Sequence, residues 1–322
     1  LYDPPVRFHA IMRIRDEGDI IAQNLRHHLT WADAVHVLDT GSVDDTWEIV
    51  RSIAREDRRV NLLGREPIRY CDGLLAYVFD RARTHFRDGD WIARPDADEF
   101  FEAPPPRFVR ERLERGEGLV RVLMHEFVLT RSDVLAWDEG RESLADRARP
   151  IQERRLRYYL DPYPEVRLFR YRRGMRWPIT RTSPWHPGLI AYERIPVRHY
   201  RCRDVAQVRL RCAIRRAMIA GTPASMPIGE HWRHDWEYWI WPDDNPRLRT
   251  LPLGASLPES RSPRSSAGTA KRRRQEWAYR LGLARLAQLN KPGWDRAIAH
   301  QPLTPDFQQR IRETMDRLQP QH

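Results

Sequence analysis

Residues 90–100 read DWIARPDADEF, an apolar stretch carrying a tryptophan and then three carboxylates, Asp96, Asp98 and Glu99, in four positions. The first half has the pattern of a β-strand. The second half is ambiguous alone, because acids also decorate solvated turns, where Asp bonds its own backbone. The chain on either side decides how it reads.

Towards the N-terminus, apolar residues alternate through VRFHAIMRI (6–14), which predicts a strand. Ile20, Ile21, Leu25, His28 and Leu29 then recur at helical spacing in GDIIAQNLRHHL (18–29). AVHVLD (34–39) is a short buried strand ending in an acid, and Ser42 with Asp45 predicts a capping box for a helix whose apolar face is Trp47, Val50, Ile53 and Ala54. Arg59 to Leu63 gives a third strand, and Leu74, Leu75, Val78, Phe79 and Ala82 mark the next helix. Strands alternating with helices predict βαβ units and a parallel sheet. In such sheets ligands gather at the carboxyl ends of the strands. Two acidic loops, DTGSVDD (39–45) and DADE (96–99), therefore fall on the binding edge.

After Pro104 the pattern changes. LVRVLMHEFVLT (119–130), EVRLFRY (165–171) and LIAYERIPVRHY (189–200) read as longer antiparallel strands, and VAQVRLRCAIRRAMIA (205–220) as a helix with a basic side. Trp232, Trp236, Trp239 and Trp241 crowd the stretch EHWRHDWEYWIWPDD (230–244), which reads as an aromatic flap over the core. Ser, Pro, Gly and Arg then predominate, and two helical segments follow, RQEWAYRLGLARLAQL and TPDFQQRIRETMDRL.

Composition narrows the class. The chain of 322 residues has 56 basic and 45 acidic residues, a net charge of +11, largely from arginine. That excess favours anionic partners, and arginine's fork suits phosphate. No apolar run approaches the ~20 residues of a membrane-spanning helix. Cys71, Cys202 and Cys212 are odd in number and lack CxxC spacing, which argues against a disulfide framework or structural zinc and for a cytoplasmic protein.

Taken in order, Arg15-Asp16-Glu17 after the first strand, VLDTGSVDDT (37–46), DWIARPDADEF (90–100) and VRHYRCRDVAQVRLR (197–211) resemble the motifs of glycosyltransferase family 2 and its GT-A relatives. The resemblance spans roughly residues 6–220. It implies an α/β fold, a GT-A (Rossmann-like) mixed sheet flanked by helices, with a C-terminal helical extension. The organisation expected is a GT-A domain over 1–220, with a nucleotide-sugar half to about 103 and an acceptor half from about 104. The aromatic flap (221–250), a flexible linker (251–274) and the helical extension (275–322) complete it.

The activity implied is transfer of a sugar from a nucleotide-diphosphate donor of UDP or GDP type to an acceptor hydroxyl, with inversion. The acceptor would be a glycan, a lipid-linked molecule or a small molecule, in cell-surface glycan or secondary-metabolite synthesis. Mn2+ or Mg2+ would stabilise the leaving diphosphate. For the metal, the resemblance points to Asp98 as direct ligand, Asp96 as ribose or outer contact, and His199 as a further ligand with His186 as the alternative. Asp96 and Asp98, two apart on an extended stretch, would project to one side, with Glu99 turned the other way to hold basic groups of the loop.

The nucleotide-sugar contacts implied are Arg15, Glu17, Asp39, Gly41, Ser42, Asp44 and Asp96. Asp45 stands where the family usually has glycine, and Asp16 where it commonly has asparagine, so an acceptor-only group replaces an amide. For the general base no motif matches, and Asp138, Glu139, Asp161, Glu193 and Asp235 stay open as alternatives. Arg170, Arg201 and Arg203 are candidates to neutralise the diphosphate. Basic C-terminal helices would allow peripheral contact at the inner face of the membrane.

Two other classes are weighed. A nucleotidyltransferase would need a glycine-rich, lysine-bearing N-terminal loop, which is not seen. A nucleic-acid module would need clustered basic residues, whereas arginines here are dispersed among acids, so no nucleic acid is expected.

Overall fold

The computed structural model describes residues 5–70, 73–161, 163, 165–178, 181–185, 188–220, 233–258, 273–274, 277–278, 281–283 and 303–318. Cys71, His186, Trp232 and most of the helix expected over 274–289 lie outside them.

The N-terminal alternation folds as the pattern requires. Strands β1 (Phe8–Ile14), β2 (Ala34–Asp39), β3 (Val60–Arg65) and β4 (Trp91–Ala93) are separated by helices α1 (Ile21–Leu29), α2 (Thr46–Glu56) and α3 (Leu74–Ala82). All four strands run parallel, in the order β3-β2-β1-β4. Strand periodicity divides the residues of β1 between two cores. Ala10, Met12 and Ile14 pack with Ile21, Leu25, Val50 and Ile53 of α1 and α2, whereas Ile11 packs with Leu74, Leu75, Val78 and Phe79 of α3. The chain leaves β1 on one side, towards β2 and β3, and returns on the other as β4. Strand order therefore reverses at β1, and such a reversal opens a crevice at the carboxyl ends.

Beyond Pro104 the strands turn antiparallel and extend the same sheet. A short β5 (Glu99–Phe101) and helix α4 (Pro105–Arg112) lead into β6 (Glu117–Phe127), the longest strand described. Next come β7 (Leu129–Thr130), α5 (Arg131–Asp138), α6 (Ile151–Arg154), β8 (Arg157–Asp161) and β9 (Val166–Arg170). Strand β9 bridges β4 and β6, antiparallel to both, and β8 lies antiparallel on the far side of β6. The result is the mixed α/β sheet flanked by helices that the sequence predicts.

Three expectations are corrected. LIAYERIPVRHY, expected as one longer antiparallel strand, forms two short strands, β10 (Leu189–Ile190) and β11 (Ile195–His199); both run parallel to β6, and β11 is antiparallel to β5. The capping box at Ser42 and Asp45 is absent: the Ser42 hydroxyl accepts from the Asp16 amide at 3.0 Å, while Asp44 accepts from the Thr46 amide at 3.0 Å. Residues 251–258, expected to open a flexible linker, pack against the domain. Leu251 and Leu257 are buried, and their amides donate to the Leu156 carbonyl at 2.8 Å and to Glu102 at 2.9 Å.

The remaining elements are α7 (Val205–Ala220), β12 (Ile240–Trp241) beside β7, β13 (Arg249–Thr250) beside β8, and α8 (Pro305–Leu318). No described helix is long and apolar enough to cross a membrane.

One buried group works against the fold. His28 is fully buried between Trp31 and Phe101, neither ring nitrogen has a hydrogen-bond partner, and burial holds its pKa well below 6.5. Below about pH 6.5 the unfolded chain takes up a proton at this position that the folded chain refuses, so His28 lowers stability as pH falls. His28→Leu is expected to stabilise by about 1–3 kcal/mol at pH 7, the penalty of an unbonded buried polar group. At pH 5 the gain grows by a further ~2 kcal/mol. Urea titrations of both proteins at the two pH values check this, and an equal difference at each pH contradicts it.

Candidate active site

The acidic stretch does not run on extended from β4. It turns, with the Glu99 amide bonded to the Asp96 carbonyl at 3.1 Å, and re-enters the sheet as β5. This turn corrects the expectation that Asp96 and Asp98 project to one side. Asp96 accepts from Arg167 of β9 at 2.7 Å and lies 4.0 Å from Arg13. Glu99 shares the Arg167 guanidinium and accepts from the Asp96 amide at 3.1 Å, so it does hold a basic group. Asp98 turns to a different set of partners.

Sheet register brings those partners in. His199 lies opposite Glu99 across the antiparallel pair β11/β5 and opposite Glu126 across the parallel pair β11/β6. Its Nε2 stands 3.3 Å from Asp98 Oδ1, and its Nδ1 bonds Glu126 Oε1 at 2.8 Å. Burial alone would lower the His199 pKa, but Glu126 and Asp98 outweigh it and raise it to about 10. Burial likewise opposes ionisation of Asp98, yet His199, Arg211 and Arg203 hold its pKa well below the carboxylate range. Arg211 lies 3.3 Å and Arg203 3.7 Å from Asp98 Oδ2.

The loops after β1 and β2 are stitched together by acids. Asp16, at a positive φ of 51°, accepts from the Val43 amide at 2.7 Å, and Asp44 accepts from the Gly18 amide at 3.0 Å. Here the acceptor-only side chain at position 16 is used as such. Asp39 is fully buried, and its Oδ1 takes the amides of Gly41 at 2.7 Å and Ser42 at 2.8 Å. Gly41 needs its glycine: φ is +101°, and a Cβ would stand 3.0 Å from the Pro67 Cα. Glu17 accepts from Arg203 at 2.7 Å, and Asp19 holds the same guanidinium at 2.6 Å.

A cavity of about 600 Å³ opens between these parts. Arg15, Glu17, Asp44, Asp96, Asp98 and His199 all line it. Asp39, Gly41 and Ser42 lie behind the wall and shape the loop. Beside the acidic centre Arg201, Arg211 and Arg215 also line the cavity, and burial together with Arg211 and Arg201 lowers the Arg215 pKa to about 9. Such crowding of positive charge favours an anion.

The open question of the base narrows. Asp161 lines the cavity. Asp138 and Glu139 are exposed on the end of α5, Glu193 lies 3.7 Å from Arg112, and exposed Asp235 pairs with Arg216 at 2.7 Å; none of the four lines the cavity. Arg170 is remote too, donating to the Gly89 carbonyl, and Arg203 is a buried brace rather than a wall residue.

Glu126 and Arg167 were missed by sequence reading. Each is an ionised residue next to an apolar one in a predicted strand, in HEF and VRL, a signal they share with Arg121 and therefore a weak one.

No protein-family model matches the sequence, and no curated protein matches it. Among solved structures, the chain is similar to glucosyl-3-phosphoglycerate synthase from Mycobacterium tuberculosis in complex with Mn2+, UDP and glucosyl-3-phosphoglycerate. That match has 22% identity over 37% of this chain and 44% of the other, with a TM-score of 0.27. A mannosyltransferase from Pyrobaculum calidifontis in complex with GDP-Man and Mn2+ matches at 15% identity over 69% of this chain and 66% of the other, with a TM-score of 0.36. A mycobacterial protein matches at 19% identity over 71% and 82%, with a TM-score of 0.32. The chain thus spans less than half of the synthase and just under two thirds of the mannosyltransferase. Likenesses this distant fix neither reaction nor substrate, and the functional reading rests on the site itself.

Proposed function

We propose that the protein is a metal-dependent glycosyltransferase, moving a sugar from a nucleoside-diphosphate donor to an acceptor hydroxyl with inversion. One observation carries the reading. At the carboxyl edge of the parallel strands, facing a cavity lined by arginine, Asp98 and His199 stand 3.3 Å apart with the second imidazole nitrogen held by Glu126.

That arrangement fits Mn2+ or Mg2+. A carboxylate oxygen and an imidazole nitrogen face one another, and the far nitrogen is fixed by a carboxylate, as is usual for ligating histidines; a cation bound there would take the place of the proton that His199 shares with Asp98. Among the described residues no group of three His, Cys, Asp or Glu is arranged to hold a metal ion. Asp98 and His199, which face one another at 3.3 Å, would be the protein's ligands, and these ions commonly complete their shell with phosphates and water. Bound there, the cation would supply charge stabilisation for the leaving diphosphate.

The chain's own residues divide the remaining work. Arg201, Arg211 and Arg215 neutralise the phosphates. Arg15 addresses the nucleoside from the cavity wall, on loops shaped by Glu17, Asp39, Gly41, Ser42 and Asp44. Asp96, held by Arg167 rather than turned towards His199, serves the ribose side and not the metal. Asp161, on the cavity wall, is the base that takes the acceptor proton. The route served is cell-surface glycan or secondary-metabolite synthesis.

A panel of UDP- and GDP-sugars with Mn2+, followed by thermal shift and nucleoside-diphosphate release, tests the proposal. If no donor raises the melting temperature or is consumed, the reading is wrong. Glu126→Gln is expected to weaken Mn2+ binding about 10- to 100-fold, because the ligating ring loses its carboxylate partner. Electron paramagnetic resonance of free Mn2+ reads this without turnover, and unchanged affinity removes Glu126 from the metal centre.

A further inference from the structure

The wall of the cavity beside the Asp39–Asp45 loop is not built by the sheet alone. Helix α8, far away in sequence, buries Phe307, Ile311 and Met315 against Leu210 and Ile214 of α7 and Val43 of that loop. Just before the helix, Leu303 donates its amide to the Pro67 carbonyl at 2.9 Å, and its side chain comes within 3.5 Å of where a Cβ on Gly41 would sit. The Arg69 guanidinium lies 5.9 Å from the Phe307 ring. One amphipathic helix thus touches the loop after β2, the loop after β3 and α7 at once.

Three residues from this contact, Leu210, Ile214 and Met315, reach the cavity and add an apolar face to a site with many charged residues. On the wall itself, both terminal nitrogens of Arg15 are buried without a hydrogen bond, and behind it Asp39 Oδ2 also lacks one. Apolar surface with a few convergent, unbonded polar groups is what a flat heterocycle with a polar edge requires. A phosphate alone would leave the apolar face unused.

We infer that α8 is part of the donor site: Met315, with Leu210 and Ile214, forms the apolar wall against which the nucleoside of the donor packs, and docking of the helix braces the loops that carry it. The inference rests on the donor reading above. It gives the C-terminal segment a role in substrate binding. It also makes nucleotide affinity depend on a helix that contributes nothing to the acidic centre.

The test uses the full chain with Mn2+ and UDP or GDP as probes. Calorimetry on Met315→Ala should show about tenfold weaker nucleotide binding, as expected for loss of one buried apolar contact. The donor KM should rise similarly, with kcat at saturating donor unchanged. Ile311→Asp, which expels the helix face, should weaken binding further. Because that variant risks misfolding, hydrogen exchange on the unmodified protein gives an independent reading: the probe should slow exchange over 305–318. If the unmodified protein binds nucleotide, Met315→Ala binds it equally well and exchange over 305–318 is unaltered, this inference is overturned while the donor reading stands. If the unmodified protein binds neither nucleotide, the donor reading falls and takes the inference with it.

Discussion

Asp98→Asn is expected to reduce sugar transfer by about 10³-fold or more, equivalent to ~4 kcal/mol of transition-state stabilisation. Asparagine keeps the shape of the side chain and removes the charge. In the protein that charge sits beside His199 at 3.3 Å and Arg211 at 3.3 Å, with Arg203 at 3.7 Å, so three positive groups are organised around it. On the proposed reading the cation would then lose its carboxylate ligand among the described residues, and imidazole alone is a poor hold for a hard ion. Mn2+ binding and turnover should therefore fall together while the circular dichroism spectrum is retained. Asp96→Asn is expected to cost less, because Asp96 faces Arg167. Equal losses for the two substitutions, or an Asp98→Asn enzyme with more than a tenth of the original rate, would sink the assignment of Asp98 as the metal ligand.

Arg167→Met is expected to destabilise the protein by about 3–5 kcal/mol, the range for removing one partner from a buried ionic group. Its guanidinium, almost fully buried on β9, is shared by Asp96 at 2.7 Å, Glu99 and Glu165 at 3.3 Å, and it also donates to the Arg94 carbonyl. Methionine fills the volume but leaves neighbouring carboxylates facing one another out of water. Glu165 keeps Arg94 at 2.7 Å and Asp96 keeps Arg13 at 4.0 Å, whereas buried Glu99 loses its arginine partner. The turn that carries Asp98 begins at Asp96, so activity should fall with stability. The comparison is Arg172→Met, whose pair with Asp88 is largely solvated and should contribute less than ~1 kcal/mol. Denaturant titrations of both variants decide the point, and a loss under 1 kcal/mol for Arg167→Met would show that the network relaxes around the change.

Much of the donor half was legible because its signals are local. A period of two in VRFHAIMRI and AVHVLD, helical spacing in the segments between, and acids at strand ends are properties of short windows. Burial on one face or two then follows directly. Even so, Ser42 and Asp45 misled, since a capping pattern describes an isolated helix end, and here the tertiary neighbour Asp16 claimed the Ser42 hydroxyl.

The remainder depends on register and long-range contact, which no window contains. His199 was singled out, but Glu126 became its partner only because β11 pairs with β6 in parallel. Asp161 separated from Asp138, Glu139, Glu193 and Asp235 only when the cavity was closed. Met315 belongs to a helix whose pattern fits packing against any apolar surface. The sequence by itself therefore determined the alternation of strands and helices, and with it the edge on which Asp39, Asp96 and Asp98 stand, because hydrophobic periodicity is written residue by residue. Only the tertiary structure decided which charges meet, since pairing across strands and the docking of α8 depend on residues more than 70 positions apart in the case of Glu126 and His199, and about 100 in the case of Ile214 and Met315.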